Sequence, residues 1–192
     1  HARAWSKSFR CHHPTVPVFV LLADRPDGLF DPRLEPFQVL SPEDLAIADL
    51  VRMRFALGVH AFTTATKPFL LLHLIERLGF DRAIYFDSDI HMYAPVARGL
   101  ELLQGADGVL VPHLLTPLPK DGRRPKDSDF LTAGAYNAGF VAVRGTPGGG
   151  GCEEREAGVG LPGLARQTRA EGAPVQQPGE RVVGGLVAEL QR

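Results

Sequence analysis

Apolar and polar positions alternate along the chain in blocks that predict helices and strands in a repeating order. Residues 2–10 (ARAWSKSFR) have the apolar spacing of a helix, and residues 16–22 (VPVFVLL) form a near-continuous apolar run typical of a strand covered on both faces. The further predicted elements are strands at 37–40, 83–86, 108–111 and 140–143, and helices at 42–56, 63–78 and 96–103. This order predicts an α/β fold with a mainly parallel sheet and helices on both faces.

The strand predicted at 83–86 runs directly into two carboxylates, Asp87 and Asp89. Ligands bind at the carboxyl ends of parallel strands, and residues two apart on an extended chain point the same way. Both carboxylates can therefore meet one ion, and such hard oxygen ligands suit Mg²⁺ or Mn²⁺ bridging a phosphate group. The alternative is that Asp87 caps the following turn while Asp89 is solvated.

Three further residues are candidates for substrate contacts. Lys67 is predicted at a helix start, where backbone N–H groups favour anions such as phosphate. Asn137 offers a donor and an acceptor to sugar hydroxyls, and Gly139 allows close approach of the backbone. The alternatives are a solvated surface lysine and an ordinary turn.

Three motifs together resemble the glycosyltransferases of the GT-A fold, especially the family 8-like bacterial enzymes. They are the strand end at 84–90 (IYFDSDI), the preceding helix segment at 63–68 (TTATKP) and the turn at 136–140 (YNAGF). The resemblance covers about residues 5–144. It implies a Rossmann-like GT-A sheet and the transfer of a sugar from a nucleotide-diphosphate sugar, with retention, to an acceptor that the sequence does not identify.

The resemblance also implies roles for individual residues. Asp87 and Asp89 would bind a divalent metal, Mn²⁺ or Mg²⁺, on the diphosphate of the donor. Lys67 would face that donor, Ser88 would lie near its ribose or sugar, and Asp129 would hydrogen-bond sugar hydroxyls.

Composition divides the chain into two parts. Residues 145–192 contain 12 of the 21 glycines and none of the aromatic residues. We expect a partial GT-A domain at 1–144 and a Gly-rich tail at 145–192, poorly ordered or unrelated to the domain. The tail is either a flexible extension or the product of a changed reading frame. Family members also begin with a strand ahead of the first helix, which this sequence is expected to lack.

Charge and cysteine content limit the partners and the location. With 44% hydrophobic residues and a formal net charge of −1, the chain is typical of a globular protein and lacks the basic excess of a nucleic-acid binder. No apolar run is long enough for a transmembrane segment, and no signal-like segment opens the sequence. Cys11 and Cys152 are expected to be unpaired thiols in a reducing compartment, which favours a cytoplasmic location.

Two other functions remain open. The chain could be an inactive, truncated remnant that at most binds a nucleotide-sugar. It could also be an aspartyl-nucleophile phosphatase, a class that places the same carboxylate pair at a strand end. In that class the motif is Asp-x-Asp-x-Thr/Val and lies near the chain start. Here the pair begins at residue 87 and is followed by Ile90 and His91.

Overall fold

The computed structural model describes residues 1–24, 28, 30–145 and 182–188 of the chain. Within these ranges it contains both helices and strands. The helices are α1 (Ala2–His12), α2 (Leu50–Ala56), α3 (Val59–Leu72), α4 (Ala97–Leu102) and α5 (Asp127–Ala133). The strands are β1 (Val18–Leu22), β2 (Gln38–Leu40), β3 (Arg82–Asp87), β4 (Gly108–Pro112), β5 (Tyr136–Arg144) and β6 (Val182–Ala188). The predicted mixture of helices and strands is confirmed.

The strands form one sheet in the order β2-β1-β6-β3-β5-β4. Its first four strands are parallel, whereas β5 runs antiparallel to both β3 and β4. The sheet therefore combines a parallel part with an antiparallel part, and β3 belongs to both.

The strand β6 lies in the middle of the sheet although it comes from the predicted tail. It pairs with β1 on one side, up to the pair Leu22–Ala188, and with β3 on the other, up to the pair Asp87–Val187. Over these seven residues the structure differs from the expected poorly packed tail. The segment VVGGLVA is locally apolar, although the tail as a whole is rich in glycine. Pairing between strands is made by backbone hydrogen bonds and requires no aromatic side chain. The average composition of the tail therefore did not indicate this strand. Residues 146–181 and 189–192 lie outside the described residues.

Hydrophobic side chains are buried on both faces of the sheet. On one face Trp5 and Phe9 of α1 pack against β3, with the Trp5 ring centroid 5.6 Å from that of Phe86. On the other face Leu70 of α3 packs against Phe19 of β1. All five residues of β1 are buried because successive side chains enter opposite cores, which explains its continuous apolar run.

The helix predicted at 42–56 is interrupted in the structure. Ser41 caps only a short 3₁₀ turn at Pro42–Asp44, with its backbone N–H bonded to the Asp44 carboxylate at 2.7 Å. A separate helix, α2, begins after Asp49, whose side chain accepts a hydrogen bond from the backbone N–H of Arg52. A second capping residue inside the predicted span therefore starts a new helix.

The helix predicted at 63–78 begins earlier than expected. It starts after Gly58, carries Pro68 in its interior and continues as a π-helical turn, His73–Arg77, before Gly79 at a φ of 69°. Pro68 has no N–H to donate, yet the helix continues through it. The sequence Thr-Lys-Pro was therefore wrongly interpreted as a helix start.

The polar segment after β4 ends in a helix for which the sequence analysis predicted no element, since α5 begins at Asp127. Three acidic or hydroxyl-bearing residues in its first turn suit a helix N-terminus.

Cys11 is exposed and carries a free thiol, while Cys152 falls among the residues that are not described. Over the described ranges, no helix has both the length and the apolar character needed to cross a membrane. The cytoplasmic location stays a prediction.

The central position of β6 makes a testable prediction. We expect the backbone amides of residues 183–187 to exchange with solvent as slowly as those of β3, since β6 has hydrogen-bonded neighbours on both sides. Native-state hydrogen exchange followed by mass spectrometry measures this. Exchange of residues 183–187 at the rate of an unstructured peptide, with β3 protected, would contradict the strand.

Candidate functional site

The carboxyl ends of three neighbouring parallel strands meet at one edge of the sheet. Leu22 pairs with Ala188, and Asp87 pairs with Val187, so β1, β6 and β3 end side by side. Five of the six residues of β3 are buried, and its last residue, Asp87, emerges half-buried at this edge. The buried strand therefore fixes where the Asp87 carboxylate is presented.

Two side chains donate hydrogen bonds to the same oxygen of Asp87. Lys67 Nζ lies 2.8 Å from Asp87 Oδ1, and the Tyr85 hydroxyl lies 2.5 Å from that oxygen. The ammonium also donates to the carbonyl oxygen of Ala138 at 3.2 Å and lies 4.7 Å from the centroid of the Tyr85 ring. One lysine therefore joins α3 to β3 and β5.

The two partners of this ion pair differ in exposure. The Lys67 side chain is 12% exposed and that of Asp87 is 39% exposed. The ammonium is thus enclosed by protein, while the carboxylate is open to a ligand approaching from solvent.

Lys67 is not at a helix start, as the sequence analysis had predicted, but well inside α3, which begins at Val59. The backbone N–H groups around it are therefore committed to the helix and are not available to an anion. The expected proximity to the acidic pair is nevertheless observed, because the side chain itself reaches Asp87.

A bulge in β5 shapes the wall opposite Asp87. Leu110 of β4 pairs with Val141, but the next residue, Val111, pairs with Asn137, so residues 138–140 have no partner in β4. The Asn137 side-chain oxygen accepts a hydrogen bond from the Gly139 N–H at 2.7 Å and closes the bulge. Bulges of this kind often re-aim the chain beside a ligand site.

Gly139 lies directly against the Asp87 carboxylate. A Cβ at this position would lie 2.8 Å from Asn137 Oδ1 and 3.0 Å from Asp87 Oδ2, so one of these side chains would have to shift to accommodate it. Glycine therefore permits the close approach of the backbone to both side chains. The side-chain oxygen of Asn137 already accepts a hydrogen bond within the bulge. The side-chain NH₂ group is therefore the part of Asn137 that can bind a ligand.

Ser88 and Asp89 follow in a turn closed by the Ile90 N–H and the Asp87 carbonyl at 3.3 Å. Ser88 is half-buried and Asp89 is exposed. Among the described residues, none forms a hydrogen bond or ion pair with the Asp89 carboxylate. Because β3 ends at Asp87, Asp89 lies in the turn and not on the extended chain from which a shared orientation of the two carboxylates was predicted. Its part in a metal site stays a prediction.

The loop after this turn is attached to α1. The Met92 N–H donates to Ser8 Oγ at 3.0 Å, and the Val96 N–H donates to His13 Nε2 at 2.9 Å. Burial, with a smaller contribution from neighbouring His12, lowers the pKa of His13. The neutral ring that results is the form in which Nε2 accepts a hydrogen bond.

Asp129 lies in the first turn of α5, where its carboxylate accepts a hydrogen bond from the Lys126 N–H at 2.8 Å. In the described structure the Asp129 carboxylate caps α5, and no contact joins it to Asp87. Its sugar contact stays a prediction.

The structure thus brings four predicted residues together, Lys67, Asp87, Asn137 and Gly139, with Ser88 and Asp89 adjacent along the chain. The sequence analysis missed Tyr85 and the Ala138 carbonyl. Tyr85 could have been found, because residues 85 and 87 of a strand point to the same face.

The donor set at this edge fits a hard divalent cation that is shared with a ligand. Asp87 Oδ2 and the Asp89 carboxylate are the protein oxygens available, since Oδ1 already accepts two hydrogen bonds. In the described residues no group of three or more His, Cys, Asp or Glu side chains could hold a metal ion. A cage made entirely of protein does not fit, whereas Mg²⁺ or Mn²⁺ bound by one or two carboxylates plus phosphate and water does.

A scan against protein-family models, a search of curated proteins and a search of solved structures each found no significant match to this chain.

Substitution of Gly139 tests the close approach. We expect Gly139→Ala to lower the free energy of unfolding by about 1–3 kcal/mol, because the added methyl group must displace Asn137 or Asp87. Urea denaturation measures the effect. The matched control is Gly105→Ala, where an added Cβ meets nothing within 4 Å and we expect a change within about 0.5 kcal/mol. Equal stability of the two variants would contradict the described packing.

Proposed function

We propose that the protein transfers a sugar from a nucleotide-diphosphate sugar to an acceptor in a metal-dependent reaction, on a Rossmann-like GT-A domain. One observation carries the proposal: an enclosed ammonium and an open carboxylate, 2.8 Å apart, lie together at the carboxyl edge of parallel strands. The carboxylate suits a divalent cation, and the ammonium suits the phosphate oxygens that the cation would bridge.

In the proposed reaction the bond between the anomeric carbon and the diphosphate oxygen breaks, and its electron pair stays on the diphosphate. A new bond forms to an acceptor hydroxyl oxygen, whose proton passes to the leaving diphosphate or to solvent. Mg²⁺ or Mn²⁺, when bound by Asp87 and Asp89, would neutralise charge on the leaving group. Lys67 stabilises the same charge from the protein side, which is electrostatic catalysis.

The wall formed by the bulge suits the sugar. Gly139 presents backbone without a side chain next to Asp87, and the Asn137 amide can donate to a sugar hydroxyl. Ser88, in the turn between the two acids, would contact the ribose or the sugar. The polar segment between β4 and α5 is assigned to the acceptor side, and the acceptor itself is not specified by these residues.

Calorimetric titration with a panel of nucleoside diphosphates and nucleotide-sugars tests the proposal. We expect binding of at least one of them to require Mn²⁺ and to weaken at least tenfold in Asp87→Asn, because the substitution removes one of the two metal ligands. Asp107→Asn is the matched control. It removes the same charge from a residue paired with Arg144, which ends β5 away from the site. Equal binding by wild type and Asp87→Asn would contradict the metal site.

Product analysis separates the three candidate functions. Transfer predicts slow, Mn²⁺-dependent release of nucleoside diphosphate from a donor, with water as the acceptor. Binding without any release would favour the inactive remnant. Phosphate release from a generic phosphoester, lost in Asp87→Asn, would favour the aspartyl-nucleophile phosphatase.

A further inference from the structure

Tyr85 is a core residue with a polar group directed to the site. It is 1% exposed and its ring packs among the apolar residues between α3 and the sheet. Its hydroxyl nevertheless donates to Asp87 Oδ1, two residues along the same strand. Residues at this spacing share one face of a strand, so the contact is built into the backbone of β3.

The same residue also contacts the ammonium. Lys67 Nζ lies 4.7 Å from the Tyr85 ring centroid and 2.8 Å from Asp87 Oδ1. A cation over an aromatic face is attracted to it, so the ring limits where the ammonium can lie. Tyr85 therefore touches both charged members of the pair.

These contacts distinguish the two oxygens of Asp87. Oδ1 accepts from the hydroxyl and from the ammonium, whereas Oδ2 faces the bare backbone of Gly139. With Oδ1 held by two donors, rotation of the carboxylate is restricted and Oδ2 is the oxygen left for a cation.

We propose that Tyr85 is a positioning residue for metal binding: its hydroxyl holds Asp87 Oδ1 and thereby leaves Oδ2 as the oxygen available to a divalent cation. This inference rests on the proposed function. Hydrogen bonds from residues behind the ligands commonly change metal affinity by about 10–100-fold, which sets the size of the expected effect.

The test is the affinity for Mn²⁺ alone, measured from the electron paramagnetic resonance signal of the free ion. Tyr85→Phe keeps the ring and removes only the hydroxyl, and we expect it to bind Mn²⁺ about tenfold more weakly than wild type. Tyr93→Phe removes the same atom from a side chain that is 87% exposed and should bind as wild type does.

A purely structural role predicts a different pattern. If the hydroxyl only stabilises the fold, Tyr85→Phe will have a shifted urea unfolding midpoint without metal, and its folded form will bind Mn²⁺ as the wild type does. That result would overturn the inference. Wild-type affinity in Tyr85→Phe, with the unfolding midpoint unchanged, would also overturn it while leaving the metal site intact. If the wild-type protein binds no Mn²⁺, either alone or together with the nucleoside diphosphates of the calorimetric titration, the inference and the proposed function both fail.

Discussion

The contact between the Lys67 ammonium and the Asp87 carboxylate organises the candidate site. It joins α3, the end of β3 and, through the Ala138 carbonyl, the bulge in β5. Its net contribution to stability is small, on the order of 1 kcal/mol, because Asp87 is partly exposed and removing the ammonium from water offsets much of the attraction. Its importance is therefore positional: it brings a cation and an anion to one point of the sheet edge, where a charged ligand can meet both.

The apolar cores make this placement possible. The strand β3 is buried between α1 on one face and α3 on the other, so a slip of one residue in its register would exchange the side chains that enter the two cores. Its end is consequently fixed, and Gly139 in the bulge of β5 brings backbone close to the Asp87 carboxylate. The same alternation that buries Tyr85 directs its hydroxyl to Asp87. The strand β3 thus contributes both to the apolar cores and to the positions of Tyr85 and Asp87 at the site.

Local patterns predicted β1 to β5 and the acidic pair, because an apolar run and the two carboxylates that follow it are encoded by neighbouring residues. Features set by distant residues were not predictable in this way. Lys67 was assigned to a helix start because Pro68 follows it, whereas the helix is extended upstream to Val59. The cap that the Asp129 carboxylate makes on α5 was not predicted either, and the sugar contact of Asp129 stays a prediction. The strand at 182–188 was overlooked because its ladder partners, β1 and β3, are far away in the sequence.

The central claim is that Asp87 and Asp89 hold a divalent cation together with a diphosphate. It is tested most directly by anomalous diffraction from crystals of the protein grown with Mn²⁺ and the nucleoside diphosphate that binds best. The account predicts one manganese peak within coordination distance of Asp87 Oδ2, an Asp89 carboxylate oxygen and the diphosphate, with Lys67 Nζ within hydrogen-bond distance of a phosphate oxygen. A diphosphate bound elsewhere, or bound at this edge with manganese on neither aspartate, would contradict it.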